Sequence, residues 1–233
     1  MNSFHLDIRT LSDRLVDVVR DFILSGVIES ELPIRQDALA AELRVSKIPL
    51  REALARLEQD GLVISHPNRG FFVRPMSPEE AEEIYALRLK LEPDAAAQGC
   101  LKATDKDREQ ARQALALFDI DAVAQKTTVG GLNRAFHLAL VQPCGQHVTT
   151  NIVARLHVLA DRYVRKHLEP KGRVLRAEAE HHEMLDAWTN RRDAKVRRLI
   201  TSHLEHTLGD LRRVLPSSVT TRPLVPRKKR SRK

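Results

Sequence analysis

Long apolar runs are missing from this chain. None of its 233 residues opens a stretch of about 18 consecutive apolar side chains, the length a helix needs to cross a bilayer, so no membrane partner is expected. No basic-then-apolar leader stands at the start, which gives no reason to expect a secretory signal. Cysteine is scarce as well. Cys100 and Cys144 are too few for a disulfide scaffold and form no metal-type cluster, so they read as small core residues in a reduced cytoplasm. Aromatic residues make up only 4% and glycine is sparse, while periodic apolar segments are long; together these predict a mostly helical protein. With 42% hydrophobic and 30% charged residues, the chain can close a core as one large domain or two ordinary ones.

The net charge of +8 suggests a nucleic-acid partner, but its location weakens that inference. Residues 1–75 hold ten Lys/Arg against eleven Asp/Glu, a net of −1. Residues 76–215 hold 22 against 20, a net of +2, and residues 216–233 hold seven basic residues and no acid. The basicity is mostly a tail, which is Pro/Ser/Thr-rich before it turns basic and is expected to be disordered. Such a tail would add salt-dependent, sequence-independent DNA affinity.

Local patterning says more. Three helical segments are expected early: about Leu11 to Ser25, ending at Gly26; about Gln36 to Leu43; and one beginning after Ser46, with Leu50, Ala53, Leu54 and Leu57 at helical spacing up to Asp60-Gly61-Leu62. Leu62-Val63-Ile64 and Phe71-Phe72-Val73 then flank His66-Pro67-Asn68-Arg69-Gly70, which reads as a small β-hairpin. Ser77-Pro78-Glu79-Glu80 is a capping-box pattern with proline at the first helical position, so a domain boundary is placed near residue 75. Beyond it, to residue 215, the chain reads as helices with breaks near Thr104, near Gly130-Gly131, at Pro143-Cys144-Gly145, near Pro170-Lys171-Gly172 and at Thr189–Asp193. The expected organisation is thus a mainly α protein: a winged helix-turn-helix over residues 8–75, an all-α antiparallel bundle over 76–215 and a tail over 216–233.

In a winged helix-turn-helix the second helix of the motif enters the major groove with its N-terminal residues against base edges. Lys47 and Arg51 share a face in the first turns of that helix and can hydrogen-bond guanine O6/N7 or pair with phosphate. Ser46 can donate to a phosphate, and Asn68, Arg69 and Gly70 at the hairpin tip can reach a minor groove or backbone. The plainer alternative is an amphipathic helix with a solvated basic edge.

The stretch from Leu39-Ala40-Ala41-Glu42-Leu43-Arg44-Val45-Ser46-Lys47-Ile48-Pro49-Leu50-Arg51-Glu52-Ala53-Leu54 through Gly61-Leu62-Val63 closely resembles the helix-turn-helix signature of GntR-family regulators, L-A-x-x-L-G-V-S-R-T-P-V-R-E-A-L…G-L-V. Arg69-Gly70-Phe71-Phe72-Val73 fits that family's R-G-x-F-V segment. The resemblance implies operator binding by a bacterial, cytoplasmic, nucleoid-associated regulator, most often a repressor. Paired half-sites imply a homodimer on pseudo-palindromic double-stranded DNA. The chain departs from the pattern in places: Arg44 stands in place of the turn glycine, Lys47 in place of arginine and Ile48 in place of threonine, and Gln36-Asp37 differs from the common acidic-then-basic pair. Lys lacks the bidentate fork and Ile cannot hydrogen-bond, so an altered base preference is expected.

Eight of the ten histidines lie between 137 and 206. Asn133 and His137 are i,i+4 on one helix, while His181 and His203 each sit on an apolar stripe. Two helices folding back at Thr189–Asp193 would bring those two imidazoles together across a bundle core. A set of three histidines and one oxygen suits a divalent metal such as Zn²⁺, Ni²⁺, Mn²⁺ or Fe²⁺. The competing reading is hydrogen-bonded core histidines.

Ile84-Tyr85-Ala86-Leu87-Arg88-Leu89-Lys90-Leu91-Glu92 is similar to the helix that opens the FadR-type C-terminal (FCD) domain of the family. Asn133-Arg134-Ala135-Phe136-His137, Glu180-His181 and Ser202-His203-Leu204 resemble that domain's D/N-x-x-F-H, E-H and H-L segments. This implies that Asn133, His137, His181 and His203 ligate a divalent metal, and that the metal together with Arg88 binds a small carboxylate effector. His182 is the rival for His181, and Arg88 could instead serve an internal salt bridge. His147, His157, His167 and His206 match no family position and read as surface or core residues. Two alternatives stay open: a metal-free regulator sensing an acyl-coenzyme A or another ligand, and a metal-dependent hydrolase, for which no H-E-x-x-H pattern occurs.

Overall fold

The computed structural model describes residues 10–28, 32–123, 129–168 and 172–215. The tail expected at 216–233 and residues 8 and 9 lie outside these. Three helices come first: α1 (Leu11–Leu24), α2 (Gln36–Glu42) and α3 (Lys47–Gln59). A hairpin of β1 (Val63–His66) and β2 (Gly70–Val73) follows, antiparallel with Val63 opposite Val73. The remaining described residues form α4 (Pro78–Lys102), α5 (Asp105–Val123), α6 (Val129–Val141), a 3-10 turn (Gln142–Cys144), α7 (His147–Leu168), α8 (Arg173–Thr189) and α9 (Asp193–Val214).

Local chemistry accounts for the helix ends. Thr10 and Asp13 form a reciprocal capping box at α1, in which the Thr10 hydroxyl accepts from the Asp13 amide and the Asp13 carboxylate accepts from the Thr10 amide. Ser77 caps α4 by accepting from the Glu80 amide, with Pro78 at the first helical position. Ser46 occupies the cap of α3 in extended conformation, yet its hydroxyl makes no capping bond. Pro49 sits three residues on and has no N–H to offer, which removes one of the two usual donors.

Two cores result. Leu15, Val19, Ile23, Leu50, Leu54, Leu57, Leu62 and Val73 close the first, between α1, α3 and the hairpin. The second runs through α4 to α9 around Tyr85, Phe118, Phe136, Tyr163 and Trp188, whose indole donates to the Leu140 carbonyl at 3.0 Å and ties α8 to α6. The break expected near Gly130-Gly131 falls just before the pair, between the end of α5 at Val123 and the start of α6 at Val129. Gly130 and Gly131 lie inside the first turn of α6 and not between helices. The physical reason is close approach: a Cβ at Gly130 would stand 3.2 Å from the Asp161 carbonyl oxygen on α7.

Candidate functional site

The winged unit presents one exposed face at the start of α3. Leu50, Ala53, Leu54 and Leu57 are buried, which leaves Ser46, Lys47, Ile48 and Arg51 on the solvent side. Arg44 takes the left-handed conformation, φ +54°, that allows the tight turn between α2 and α3. The Lys47 ammonium pairs with the exposed Asp37 carboxylate on α2. At the wing tip Asn68 (φ +60°) and Gly70 (φ +83°) turn the chain, and the Arg69 amide donates to the His66 carbonyl at 3.0 Å. The Arg69 guanidinium rests 5.4 Å from the Phe72 ring centre, a cation–π contact that holds the exposed cation near the wing.

The second cluster lies deep in the helical unit. His137 from α6, His181 from α8 and His203 from α9 bring one ring nitrogen each within 4.8 Å of the others, and all three residues are buried. Ring centres are 5.2 Å apart for His137–His181, 5.2 Å for His137–His203 and 4.9 Å for His181–His203. His137 donates from Nδ1 to Glu92 Oε1 at 2.6 Å, and His203 donates from Nδ1 to Glu180 Oε2 at 2.6 Å. Each of these carboxylates fixes its imidazole so that Nε2 is the nitrogen left for another partner. The Nε2 of His137 has no hydrogen-bond partner, and His181, wedged 4.8 Å from both Phe118 and Phe136, has none at either nitrogen. Burial drives the His181 pKa well below its usual value and that of His137 down to about 3, so both rings are neutral at pH 7, the form that binds a metal.

Arg88 is buried beside this cluster. Its Nε donates to Glu92 Oε2 at 2.9 Å, and its Nη2 lies 3.3 Å from His157 Nε2. The Glu92 carboxylate therefore serves Arg88, His137 and His157 together, and burial of that charge is outweighed by these three, which hold its pKa well below the carboxylate range. Arg88, Asn133, His203, Tyr85 and Thr207, together with Val164, Leu168 and Ala177, line a cavity of about 10 Å³, room for about one water. Tyr85 is buried with the Arg88 guanidinium 5.1 Å from its ring centre, and burial raises its pKa to about 12.

His182, the rival of His181, is more than half exposed and bonds Asp119 at 3.0 Å. His206 is exposed and bonds Glu180, and His147 is exposed; the His167 side chain lies outside the described residues. His157, read as a surface or core residue, is a core residue within ligand distance of Glu92 and His137. Its connection to Arg88–Glu92 was not foreseen. The i,i+4 pairs Arg88/Glu92 on α4 and His157/Asp161 on α7 were the available signal.

α7 joins the two units. Its Val158 packs on the first core, Arg155 donates to the Gln59 carbonyl and Arg162 to the Arg74 carbonyl. From the same helix His157 enters the Glu92 network and Asp161 accepts from Arg134, the neighbour of Asn133.

A winged helix-turn-helix ahead of a helical bundle is the architecture of a two-domain DNA-binding regulator. Comparison with known proteins agrees. Residues 11–73 match the model of bacterial regulatory proteins of the gntR family, and residues 83–206 match that of the FCD domain. The chain belongs to the GntR family of transcriptional regulators and carries an FCD domain at its C-terminal side. It is 26% identical to the Nta operon transcriptional regulator of Aminobacter aminovorans over 188 residues, covering 80% of this chain and 88% of that protein. It is 24% identical to the transcriptional repressor RspR of Escherichia coli K12 over 209 residues, covering 88% and 90%. The fold is shared with E. coli McbR/YncC (TM-score 0.75, 19% identity, 88% and 99% covered). It is also shared with a candidate GntR regulator of Rhodococcus sp. RHA1 (TM-score 0.73, 24% identity, 88% and 99% covered). The family and these relatives are regulators and not enzymes, and no helix among the described residues is long and apolar enough to cross a membrane.

Proposed function

We propose that this regulator is a cytoplasmic homodimeric repressor whose operator affinity is set by a divalent metal and a small carboxylate effector in the helical unit. The two units are taken as 8–75 and 76–215. The observation that carries the reading is His181: burying an imidazole with both nitrogens unpartnered costs on the order of 1–3 kcal/mol per lost bond, and a metal ion would remove that cost. His137, His181, His203 and Asn133 are assigned as its ligands, with Glu92 and Glu180 positioning two of the rings. The bound ion would supply a Lewis-acidic site for an effector carboxylate.

Arg88 is assigned to the effector's other oxygen. In the present arrangement its guanidinium is engaged by Glu92, and the adjacent cavity holds about one water. An effector therefore has to displace Arg88 from Glu92 or widen the space between α4 and α9. Either change reaches His157 and hence α7, whose other face carries the winged unit. The effector acts by favouring one placement of that unit, to the extent that its affinity differs between the two states. Ser46, Lys47, Arg51, Asn68, Arg69 and Gly70 are assigned to DNA contact.

The test is a DNA-binding titration of the full chain with and without added Zn²⁺, Ni²⁺ or Mn²⁺. Specific binding is expected to be lost in Lys47→Ala/Arg51→Ala. The metal response is expected to vanish in His181→Ala while metal-independent binding persists. An unchanged metal response in His181→Ala would overturn the ligand assignment.

A further inference from the structure

Ile48 is the second residue of α3, and its side chain is 72% exposed. Single exposed aliphatic residues are ordinary on protein surfaces, so exposure alone means nothing. Its position is what matters. Ile48 stands in the first turn of α3 away from the buried Leu50 and Leu54, beside Arg51, at the helix end that meets base edges when such a motif docks. Lys47 and Arg51 can satisfy the acceptors of guanine or of phosphate, but Ile48 has no hydrogen-bonding group. The major groove edge of the bases has one apolar feature, the C5-methyl group of thymine. A β-branched side chain in a helix holds essentially one χ1 rotamer, so Ile48 presents its methyl groups in a fixed direction at little entropic cost.

We propose that Ile48 is a specificity-determining residue that reads the C5-methyl of one thymine in each operator half-site, next to the base or phosphate contacted by Lys47 or Arg51. The proposal rests on the assignment of the exposed face of α3 to DNA. It also gives a physical meaning to an isoleucine at the position where the helix-turn-helix signature that this segment resembles has threonine. The chain trades a hydrogen-bond donor for an apolar reader.

The experiment begins with an operator selected by the full chain from a random-sequence duplex pool. Each thymine of the selected duplex is then replaced by deoxyuridine, one at a time. This removes a single methyl group and leaves every hydrogen-bonding atom in place. Burying one methyl-sized group contributes about 0.8 kcal/mol, so one symmetric pair of positions is expected at which each replacement weakens wild-type binding about fourfold. In Ile48→Ala the same replacement is expected to change binding by less than about 1.5-fold, and in Ile48→Val the sensitivity is expected to return. Ile48 is exposed, so both variants should keep the wild-type circular dichroism and thermal midpoint. A selected operator with no methyl-sensitive thymine, or one whose sensitivity is unchanged in Ile48→Ala, overturns the proposal while DNA binding stands. If the selection enriches no sequence, or Lys47→Ala/Arg51→Ala binds the selected duplex as wild type does, the assignment of α3 to DNA fails and this inference falls with it.

Discussion

The two units of this protein treat polar side chains in opposite ways. Among the described residues of the winged unit, the buried set is apolar except for Ser12, whose hydroxyl donates to Glu52 at 2.5 Å. The helical unit instead buries Arg88, Glu92, Asn133, His137, His157, Asp161, His181 and His203. Removing such groups from water is costly unless every one finds a partner. The interior of the winged unit is therefore closed by apolar packing, and its charged side chains lie at the surface. The helical unit instead holds a buried polar cluster whose desolvation has to be offset by internal partners or, under the function proposed above, by a bound ion. The predictions below break or sharpen that contrast.

The largest effect is expected at Glu92. Glu92→Ala leaves the Arg88 guanidinium buried without its partner and releases His137 and His157, so a loss of about 3–5 kcal/mol is expected in chemical unfolding. Arg88→Met/Glu92→Leu removes both charges and should recover most of that loss, because an apolar pair of similar volume carries no unpaired charge. If the double variant is as unstable as the single one, the network contributes through shape and not through charge compensation.

A second test uses His181. His181→Leu removes two unpartnered buried nitrogens, so the metal-free variant is expected to be at least as stable as wild type. Added metal reverses the order. At a concentration about 100-fold above its dissociation constant it should stabilise wild type by about 2.7 kcal/mol and leave the variant unmoved. Thermal midpoints with and without metal check both halves, and a variant that gains as much as wild type would remove His181 from the ligand set.

Asp161 gives a pH test of the same contrast. Burial raises its pKa from 3.8 to about 6, and this outweighs the opposing pull of Arg134, Arg20 and Arg88. Its folded pKa lies above its unfolded value, so the folded protein holds the extra proton between pH 4 and pH 6. Stability from this group is greatest below about pH 4 and falls as pH rises to about 6, by on the order of 2–3 kcal/mol. Wild type minus Asp161→Asn, measured by urea unfolding across that range, should show the decline. A flat difference would mean that the ion pair with Arg134 cancels the cost of burial.

How much of this was legible in the sequence follows the same division. The winged unit could be read nearly residue by residue, because its rules are local: the Leu50/Leu54/Leu57 stripe, the turn at Arg44 and the hairpin at Pro67–Gly70 each depend on neighbours a few positions away. In the helical unit the convergence of His181 and His203 was also readable, since one short turn at 189–193 brings their helices together. The contribution of His157 was not, because it depends on how α7 lies against α4, 69 residues away from Arg88 in sequence. Nor was the role of Gly130. A glycine pair suggests a break in a linear pattern, and only packing against Asp161 shows it as a point of helix contact.

The smallest expected effect is the most specific probe of whether the proposed metal response passes through the contact between the two units. Gly26 and Gly61 both take left-handed backbone, φ +74° and φ +81°, so alanine at either position bears a similar conformational cost of about 1 kcal/mol. They differ in what a Cβ would meet. At Gly26 nothing lies within 4 Å, whereas at Gly61 the new atom would stand 2.8 Å from Leu159 Cδ2 on α7. Gly61→Ala must therefore displace the Leu159 side chain on α7, while Gly26→Ala leaves that contact intact. Both variants should lose stability, Gly61→Ala by about 1 kcal/mol more than Gly26→Ala because of overpacking against Leu159. Only Gly61→Ala should also blunt the change in operator affinity on adding metal, because α7 carries His157 and Asp161 on one side and the winged unit on the other. Urea unfolding and DNA titration of the pair would decide it. Equal metal responses in both variants would show that the signal does not pass through the contact between Gly61 and Leu159, and would direct attention to the cluster of Arg20, Arg134 and Asp161 on the α1 side of the same helix.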